Sequence, residues 1–184
     1  MSDPAPAIRS QEIVDREVVD QPIVLVGASG SGTTTVGRLL ASALDREHLD
    51  VDTVIAQRAG KAVSEIFIDD GEAAFRAIEE STTIELLDRA AVLSLGSGAV
   101  LSPTVRAALQ GRRVVWLQVS AGTAAERVGL NTARPATFGN VRGRLIQLLN
   151  QRAPLYAEVA SSSIATDDRS AEEIVELILE RLRP

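Results

Sequence analysis

Apolar positions along the chain follow two alternating patterns. Ile23 to Val26 form a short, wholly apolar run that stops at a glycine, which is typical of a strand buried on both faces of a parallel sheet. The next segment has apolar residues at helical spacing, through Val36, Leu39 and Leu40. The same alternation continues along the chain. It predicts an α/β fold with a parallel sheet between two layers of helices, and ligands bound at the carboxyl ends of the strands.

This alternation predicts five strands and the helices between them. The strands are predicted at residues 23–26, 49–51, 91–95, 114–119 and 163–165. Helices are predicted at residues 33–43, from 53, from 63, at 72–87, after 102–103, at 121–128, around 145–149 and after 170. Residues 129–140 lack periodicity and are predicted to form a mobile lid loop. Residues 1–20 are expected to be a mobile arm, and residues 21–184 a single domain.

The first strand and helix enclose a glycine-rich segment, residues 27–35, here called the phosphate loop: Gly27-Ala28-Ser29-Gly30-Ser31-Gly32-Thr33-Thr34-Thr35. Gly27, Gly32 and Thr34 match the motif G-x-x-x-x-G-K-[ST], in which backbone amides surround phosphates and the hydroxyl holds Mg²⁺. Thr33 occupies the position of the lysine that neutralises the β- and γ-phosphates. The sequence therefore predicts a phosphate site that lacks its usual cation.

Composition narrows the chemistry further. The net charge of -6 argues against nucleic acid and anionic membranes as partners. The chain has no cysteine and one histidine, His48, so disulfides, thiolate nucleophiles, zinc clusters and histidine triads are not expected. No apolar run approaches the ~20 residues of a membrane span, and the N-terminus lacks the order of a signal peptide. We therefore expect a cytoplasmic protein without nucleic-acid or membrane partners.

Two aspartates follow the second predicted strand. Asp50 and Asp52 are predicted to lie at its end. In a phosphoryl-transfer site, one carboxylate can organise Mg²⁺ while the other accepts the proton of the attacking hydroxyl. An isolated D-x-D is more often solvated or caps a helix. Its position beside a phosphate loop favours the functional interpretation.

Four further features are weak signals when taken singly. Gly96-Ser97-Gly98 follow the third strand, where free amides can bind an anion, although an ordinary strand-to-helix turn has the same composition. Arg76 and Glu79 have the spacing of a helical ion pair, which is more often a surface feature. Arg134 lies in the unpatterned loop, and Arg152 is predicted to end the next helix. Together they add basic and anion-binding groups to the predicted site.

In chain order, these motifs resemble the shikimate kinases. The resemblance covers nearly everything from Pro22 to the C-terminus and rests on residues 27–35, 49–52, 67–80, 93–100, 131–135 and 152–156. Several separated motifs in the right order make it much more specific than a phosphate loop alone. It implies a P-loop, nucleoside-monophosphate-kinase-like fold and transfer of the γ-phosphoryl group of ATP to the 3-hydroxyl of shikimate, in aromatic amino-acid biosynthesis. It also implies ATP and Mg²⁺ as cofactors, and we expect a monomer.

The same resemblance implies roles for individual residues. Asp52 would act as the base, and Arg134 would reach the transferring phosphate. The residues implied to bind shikimate are Asp52, Arg76, Ser97, Gly98 and Arg152. The residues implied to bind ATP are Gly27, Gly30, Ser31, Gly32, Thr33, Thr34, Thr35, Arg127, Arg134 and Arg169. Arg127 and Arg169 would flank adenine, and Thr34 and Asp50 would hold Mg²⁺.

The sequence departs from the family pattern in three places. Thr33 replaces the lysine, Ser97 replaces the middle glycine of a Gly-Gly-Gly run, and Ala136-Thr137 stand where leucines usually follow the lid arginine. The first departure is the most serious, because losing one preorganised donor costs ~10²–10³ in rate. Lys61 and Arg134 are the candidate replacement cations. Two hypotheses stay open: a shikimate kinase of reduced or atypical activity, and an impaired relative that binds shikimate or nucleotide in a regulatory role.

Overall fold

The structure, a computed structural model, describes residues 21–129 and 138–182. Its strands are β1 (Ile23–Gly27), β2 (His48–Asp50), β3 (Val92–Ser94), β4 (Arg113–Gln118) and β5 (Ser162–Ala165). Its helices are α1 (Thr33–Ala43), α2 (Val51–Ala59), α3 (Val63–Asp69), α4 (Gly71–Leu86), α5 (Pro103–Leu109), α6 (Ala121–Arg127), α7 (Phe138–Val159) and α8 (Ala171–Leu182), with a 3₁₀ helix at Ala99–Leu101. The predicted arm, residues 1–20, lies outside the described part, so the arm and the single domain stay predictions.

The described strands form one parallel sheet in the order β2-β3-β1-β4-β5. β1 is central, and its Leu25 pairs with Ser94 of β3 and with Val115 of β4. The predicted α/β class with a five-stranded parallel sheet is confirmed. Because parallel strands run in one direction, their carboxyl ends share an edge, which brings Gly27 and Asp50 to the same side of the sheet.

Alternate residues of β1 face two apolar layers. Ile23 and Leu25 pack in the layer that contains α1 and α8. Val24 and Val26 pack in the opposite layer, against α2 to α5 and α7. All four side chains are at most 1% exposed. Burial on both faces explains why the strand is apolar from Ile23 to Val26. The strand ends at Gly27, where the phosphate loop begins.

The predicted position of Asp52 on the second strand is wrong. β2 ends at Asp50 and α2 begins at Val51, so Asp52 lies in the first helical turn. The physical reason is a helix cap: the Asp50 carboxylate accepts a hydrogen bond from the Thr53 backbone N–H at 3.1 Å. The cap changes the backbone from strand to helix between the two carboxylates, so they do not lie on one face of a strand.

Helix α7 also differs from the prediction. It begins inside the predicted loop, whose residues 130–137 lie outside the described part, and it continues past Arg152, where the sequence predicts its end. Pro154 does not end the helix, because burial of Tyr156 and Val159 against the core outweighs the local penalty of the proline. Among the helices of the described part, none is long and apolar enough to cross a membrane.

Truncating Leu93 should test the core directly. Leu93 lies in β3 with 0% exposure, so Leu93→Ala is expected to lower the free energy of unfolding by ~2–5 kcal/mol. Leu148 lies on α7 and is 42% exposed, so Leu148→Ala is expected to change it by only about 0.5 kcal/mol. Urea denaturation followed by circular dichroism measures both values. Equal losses in the two variants would contradict the described packing.

Candidate active site

A cavity of about 500 Å³ lies at the carboxyl edge of the sheet. Its walls come from the phosphate loop, from the segments that follow β2 and β3, and from the end of α6. Among the described residues that line it, the charged ones are Asp50, Asp52 and Arg127. The phosphate loop, the two aspartates and the Gly96–Ser97 turn, which the sequence singles out separately, therefore meet in one cavity.

The phosphate loop has the geometry of an anion cradle. Gly30 and Gly32 have φ of 85° and 93°, a left-handed conformation that other residues rarely adopt. They turn the backbone so that α1 begins at Thr33, and no side chain caps its start. The amides of a first helical turn have no partner within the helix, and the helix dipole adds partial positive charge there. This arrangement fits phosphate groups without help from a side chain.

Two polar residues, one on β2 and one on β3, support the phosphate loop through hydrogen bonds. The Ser94 hydroxyl donates to the Thr33 carbonyl at 2.9 Å, and His48 Nε2 lies 2.9 Å from the same hydroxyl. Burial lowers the pKa of His48, so its imidazole is neutral near pH 7. The start of α1 is thereby tied to β2 and β3.

A hydroxyl and a carboxylate lie together at the mouth of the phosphate loop. Thr34 Oγ1 donates to Asp50 Oδ2 at 2.6 Å, while Asp50 Oδ1 accepts from the Thr53 backbone and hydroxyl at 3.1 and 3.2 Å. Oxygen ligands of this kind suit Mg²⁺, which commonly keeps several waters and takes others from phosphates. No group of three or more His, Cys, Asp or Glu residues gathers around a possible metal position within the described residues. Thr34 and Asp50 thus fit a Mg²⁺ ion held jointly with phosphate oxygens.

Two carboxyl groups come close to each other beside Gly96. A Cβ on Gly96 would collide with Glu79 Oε1 and lie 2.8 Å from Asp52 Oδ1. Both oxygens are buried without a hydrogen-bond partner in the described part of the chain. Burial, with the negative charges of Glu79 and Asp50, raises the pKa of Asp52 to about 6, against the opposing effect of Arg76. A carboxylate with a pKa near neutrality is suited to accept a proton.

Arg76 and Glu79 form an ion pair, as their spacing predicts. The interpretation of this pair as a surface feature is wrong, because the Glu79 side chain is only 3% exposed. Arg76 Nη1 lies 2.6 Å from Glu79 Oε2, and the guanidinium carbon lies 5.7 and 5.3 Å from the ring centres of Phe67 and Phe75. Arg76 Nε is buried without a partner among the described atoms. The ion pair thus holds the Arg76 guanidinium against two aromatic rings. Its Nε–H is still available to donate a hydrogen bond.

Arg152 is held on the Ser97 turn. Its Nη1 donates to both the carbonyl and the hydroxyl of Ser97, each at 3.1 Å. Tyr156, one helical turn along α7, donates its hydroxyl to the same carbonyl at 2.6 Å and stacks on Trp116 with ring centres 5.9 Å apart. Burial raises the pKa of Tyr156 to about 12, so this donor keeps its proton. The Ser97 turn and Arg152 form one fixed unit.

Of the remaining candidate arginines, Arg127 lines the cavity, Arg169 does not, and Arg134 lies outside the described part. Arg127 donates to the carbonyls of Gly30 and Thr166 at 3.2 and 2.6 Å, and to the Thr166 hydroxyl at 3.0 Å. Arg169 donates to the Ala165 carbonyl at 2.8 Å, just after β5. Arg134 lies among residues 130–137 and is not placed. Both arginines therefore contact the chain at or just after the end of β5, and Arg127 also contacts the phosphate loop.

The sequence provides little signal for three residues of this site. Glu79, Tyr156 and Ser94 gain their importance from burial and from partners distant in the chain. Of the three, only Glu79 is indicated by the local sequence, through its spacing from Arg76.

A parallel sheet with a phosphate loop, an oxygen-ligand pair and opposed carboxylates and arginines defines a P-loop phosphotransferase fold. Comparison with known proteins gives the family. A sequence model described as shikimate kinase matches residues 29–183. The shikimate kinase of Thermobifida fusca strain YX is 49% identical over 160 residues, which cover 86% of this chain and 93% of that protein. The chain belongs to the shikimate kinase family.

Other relatives agree with this assignment. The shikimate kinase of Mycobacterium tuberculosis strain ATCC 25177 / H37Ra is 48% identical over 162 residues, covering 87% of this chain and 92% of that protein. A solved structure of shikimate kinase from Acinetobacter baumannii, in complex with shikimate, is 35% identical. It superposes with a TM-score of 0.82 and covers 92% of this chain and 96% of that one.

The perturbed pKa of Asp52 predicts a pH-dependent effect of its removal. Folding raises this pKa from 3.8 to about 6, so the ionised Asp52 carboxylate destabilises the folded state. This destabilisation grows as the pH rises from about 4 to 6. Asp52→Asn is therefore expected to raise Tm at pH 7 and to have little effect near pH 4. Calorimetry of ligand-free protein in chelator measures this difference.

Asp88 supplies the control, because its side chain is 86% exposed. Asp88→Asn is expected to leave Tm nearly unchanged. A Tm gain for Asp52→Asn that is the same at pH 4 and pH 7 would show that burial does not disfavour the Asp52 charge.

Proposed function

We propose that this chain transfers the γ-phosphoryl group of ATP to the 3-hydroxyl of shikimate, at a rate reduced by Thr33. One observation supports this proposal above the others: a phosphate cradle with an oxygen-ligand pair opens into the same cavity as Asp52, whose pKa is about 6. The catalysis of phosphoryl transfer consists mainly of positioning and charge stabilisation, and this cavity supplies elements of both.

On the donor side, the phosphate loop binds the phosphates of ATP. The amides at the start of α1 carry the contacts, and Thr34 with Asp50 holds Mg²⁺. When bound, the ion offsets negative charge on the phosphates. The resemblance assigns Arg127 and Arg169 to the flanks of adenine and Arg134 to the transferring phosphate.

On the acceptor side, Asp52 accepts the proton of the attacking hydroxyl. Arg76 and Arg152 bind the shikimate carboxylate, and the amides of Ser97 and Gly98 border it. The spare donor capacity of Arg76 Nε and the fixed position of Arg152 support this assignment. A relative crystallised with shikimate, at 35% identity, supports the choice of acceptor.

Thr33 leaves the donor side short of charge. Lys61, one candidate replacement, is paired with Asp69 and Asp70 at 3.0 and 2.8 Å and does not line the cavity. Arg127 lines it but already donates to backbone carbonyls. These contacts support a reduced rate rather than a full replacement of the lysine, with Arg134 as the remaining candidate outside the described residues.

The same charge deficit favours a second candidate function. A chain that binds shikimate or nucleotide without efficient transfer acts as a regulatory or binding module. The acceptor side retains the arginines and the aspartate of the family pattern, whereas the phosphate loop lacks its lysine. Ligand binding is therefore expected to be less impaired than turnover.

Restoring the lysine separates the two functions. In a coupled assay of ADP release with ATP, Mg²⁺ and shikimate, Thr33→Lys is expected to raise kcat by ~10²–10³, because it returns one preorganised donor to the phosphates. Thr33→Met is the matched control, since it adds length without charge and should not raise kcat. Wild-type turnover should be slow but should require both shikimate and Asp52. No wild-type turnover together with gain in Thr33→Lys would favour the binding module.

Crowding Gly98 tests the acceptor side. A Cβ on Gly98 would collide with the Arg76 guanidinium, so Gly98→Ala is expected to displace it and weaken shikimate binding by about tenfold or more. Gly143 on α7 has open space around its Cβ position, and Gly143→Ala should bind as wild type does. Titration calorimetry with shikimate measures both. An unchanged affinity for shikimate in Gly98→Ala would contradict the proposal that Arg76 binds shikimate.

A further inference from the structure

The Ser97 side chain lines the cavity and lies between Arg152 and the phosphate loop. Its Oγ accepts a hydrogen bond from Arg152 Nη1 at 3.1 Å and from the Ser29 hydroxyl of the phosphate loop at 3.4 Å. A glycine at this position, which the family pattern has, supplies neither contact. The hydroxyl is therefore a feature of this chain that joins an acceptor-side cation to the donor loop.

The backbone around this hydroxyl is anchored independently of it. The Ser97 carbonyl accepts from Arg152 Nη1 at 3.1 Å and from the Tyr156 hydroxyl at 2.6 Å. Tyr156 is 2% exposed and stacks on Trp116, so it cannot follow small movements of the turn. Removal of the hydroxyl should leave the turn in place and free one of the two contacts that orient Arg152.

We propose that Ser97 is a positioning residue whose hydroxyl orients Arg152 and links it to Ser29, so that acceptor binding and the phosphate loop are coupled. The identity of the acceptor rests on the proposed function. Two hydrogen bonds to one side-chain end of Arg152 restrict the rotamers of a long side chain that otherwise loses entropy on binding. The hydrogen bond from Ser29 connects the phosphate loop to the turn that holds Arg152.

Three variants isolate the hydroxyl. Ser97→Ala removes it with little change in backbone freedom, Ser97→Gly restores the family residue, and Ser97→Thr keeps a hydroxyl. Calorimetry measures the Kd of shikimate with and without a non-hydrolysable ATP analogue and Mg²⁺. Ser81→Ala, on the exposed surface of α4, is the control because its hydroxyl donates to the nearby Ile78 carbonyl of the same helix.

Loss of a hydrogen bond to a charged group predicts that Ser97→Ala and Ser97→Gly raise the Kd of shikimate roughly five- to tenfold. The nucleotide Kd without shikimate should stay within about twofold, and the gain in shikimate affinity caused by nucleotide should shrink. Ser97→Thr should recover most of the wild-type values. Ser97→Ala with wild-type affinity and wild-type coupling would overturn the proposal.

A ligand-free measurement separates this proposal from the proposed function. Phenylglyoxal modifies arginines, and mass spectrometry compares Arg152 with Arg169 in the same sample. Faster modification of Arg152 in Ser97→Ala supports the positioning role even if the wild type neither binds shikimate nor transfers phosphate, in which case the proposed function alone fails. An unchanged ratio overturns the positioning role, whatever the activity.

Discussion

The parallel register of the central strands is the constraint on which the site depends. β1 pairs with β3 and β4 along its length, so the phosphate loop after β1 and the Gly96–Ser97 turn after β3 leave the sheet at the same edge. β2 adds Asp50 at that edge and begins α2 with Asp52 in its first turn. Close packing on both faces of β1 stabilises this register, because a slip by one residue would exchange the larger Ile23 and Leu25 with the smaller Val24 and Val26 between the two layers. The sheet therefore sets the approximate positions of the site residues, and the loops set their detailed geometry.

Charge in the cavity is arranged unevenly. Asp52 lines it, with the buried Glu79 carboxyl group close by, whereas Arg76 and Arg152 lie outside its lining and are held by contacts with Glu79 and Ser97. In the proposed function, the phosphate side would rely on backbone amides, on the start of α1 and on a bound Mg²⁺, because position 33 is a threonine. A site of this kind can be expected to bind its acceptor better than it stabilises the charge that moves during transfer.

The fold was largely predictable from the sequence, and the site was predictable in part. The apolar runs at residues 23–26 and 114–119 indicate buried strands, and the strand, glycine loop and helix in succession place the phosphate site. Asp52 was misplaced because a helix cap by Asp50 is invisible to strand alternation. The buried Arg76–Glu79 pair and the Tyr156–Ser97 bond depend on tertiary packing, which local spacing does not encode. The passage of α7 through Pro154 has the same cause.

The central claim is that transfer occurs and that Thr33 limits it. A single-turnover experiment tests this claim most directly, with enzyme in excess over shikimate and with saturating ATP and Mg²⁺, followed by chemical quench. The account predicts complete conversion of shikimate to a phosphate monoester in one slow phase, ~10²–10³ times slower than in Thr33→Lys. Absence of the monoester from the wild type, or equal rates in the two proteins, would contradict it.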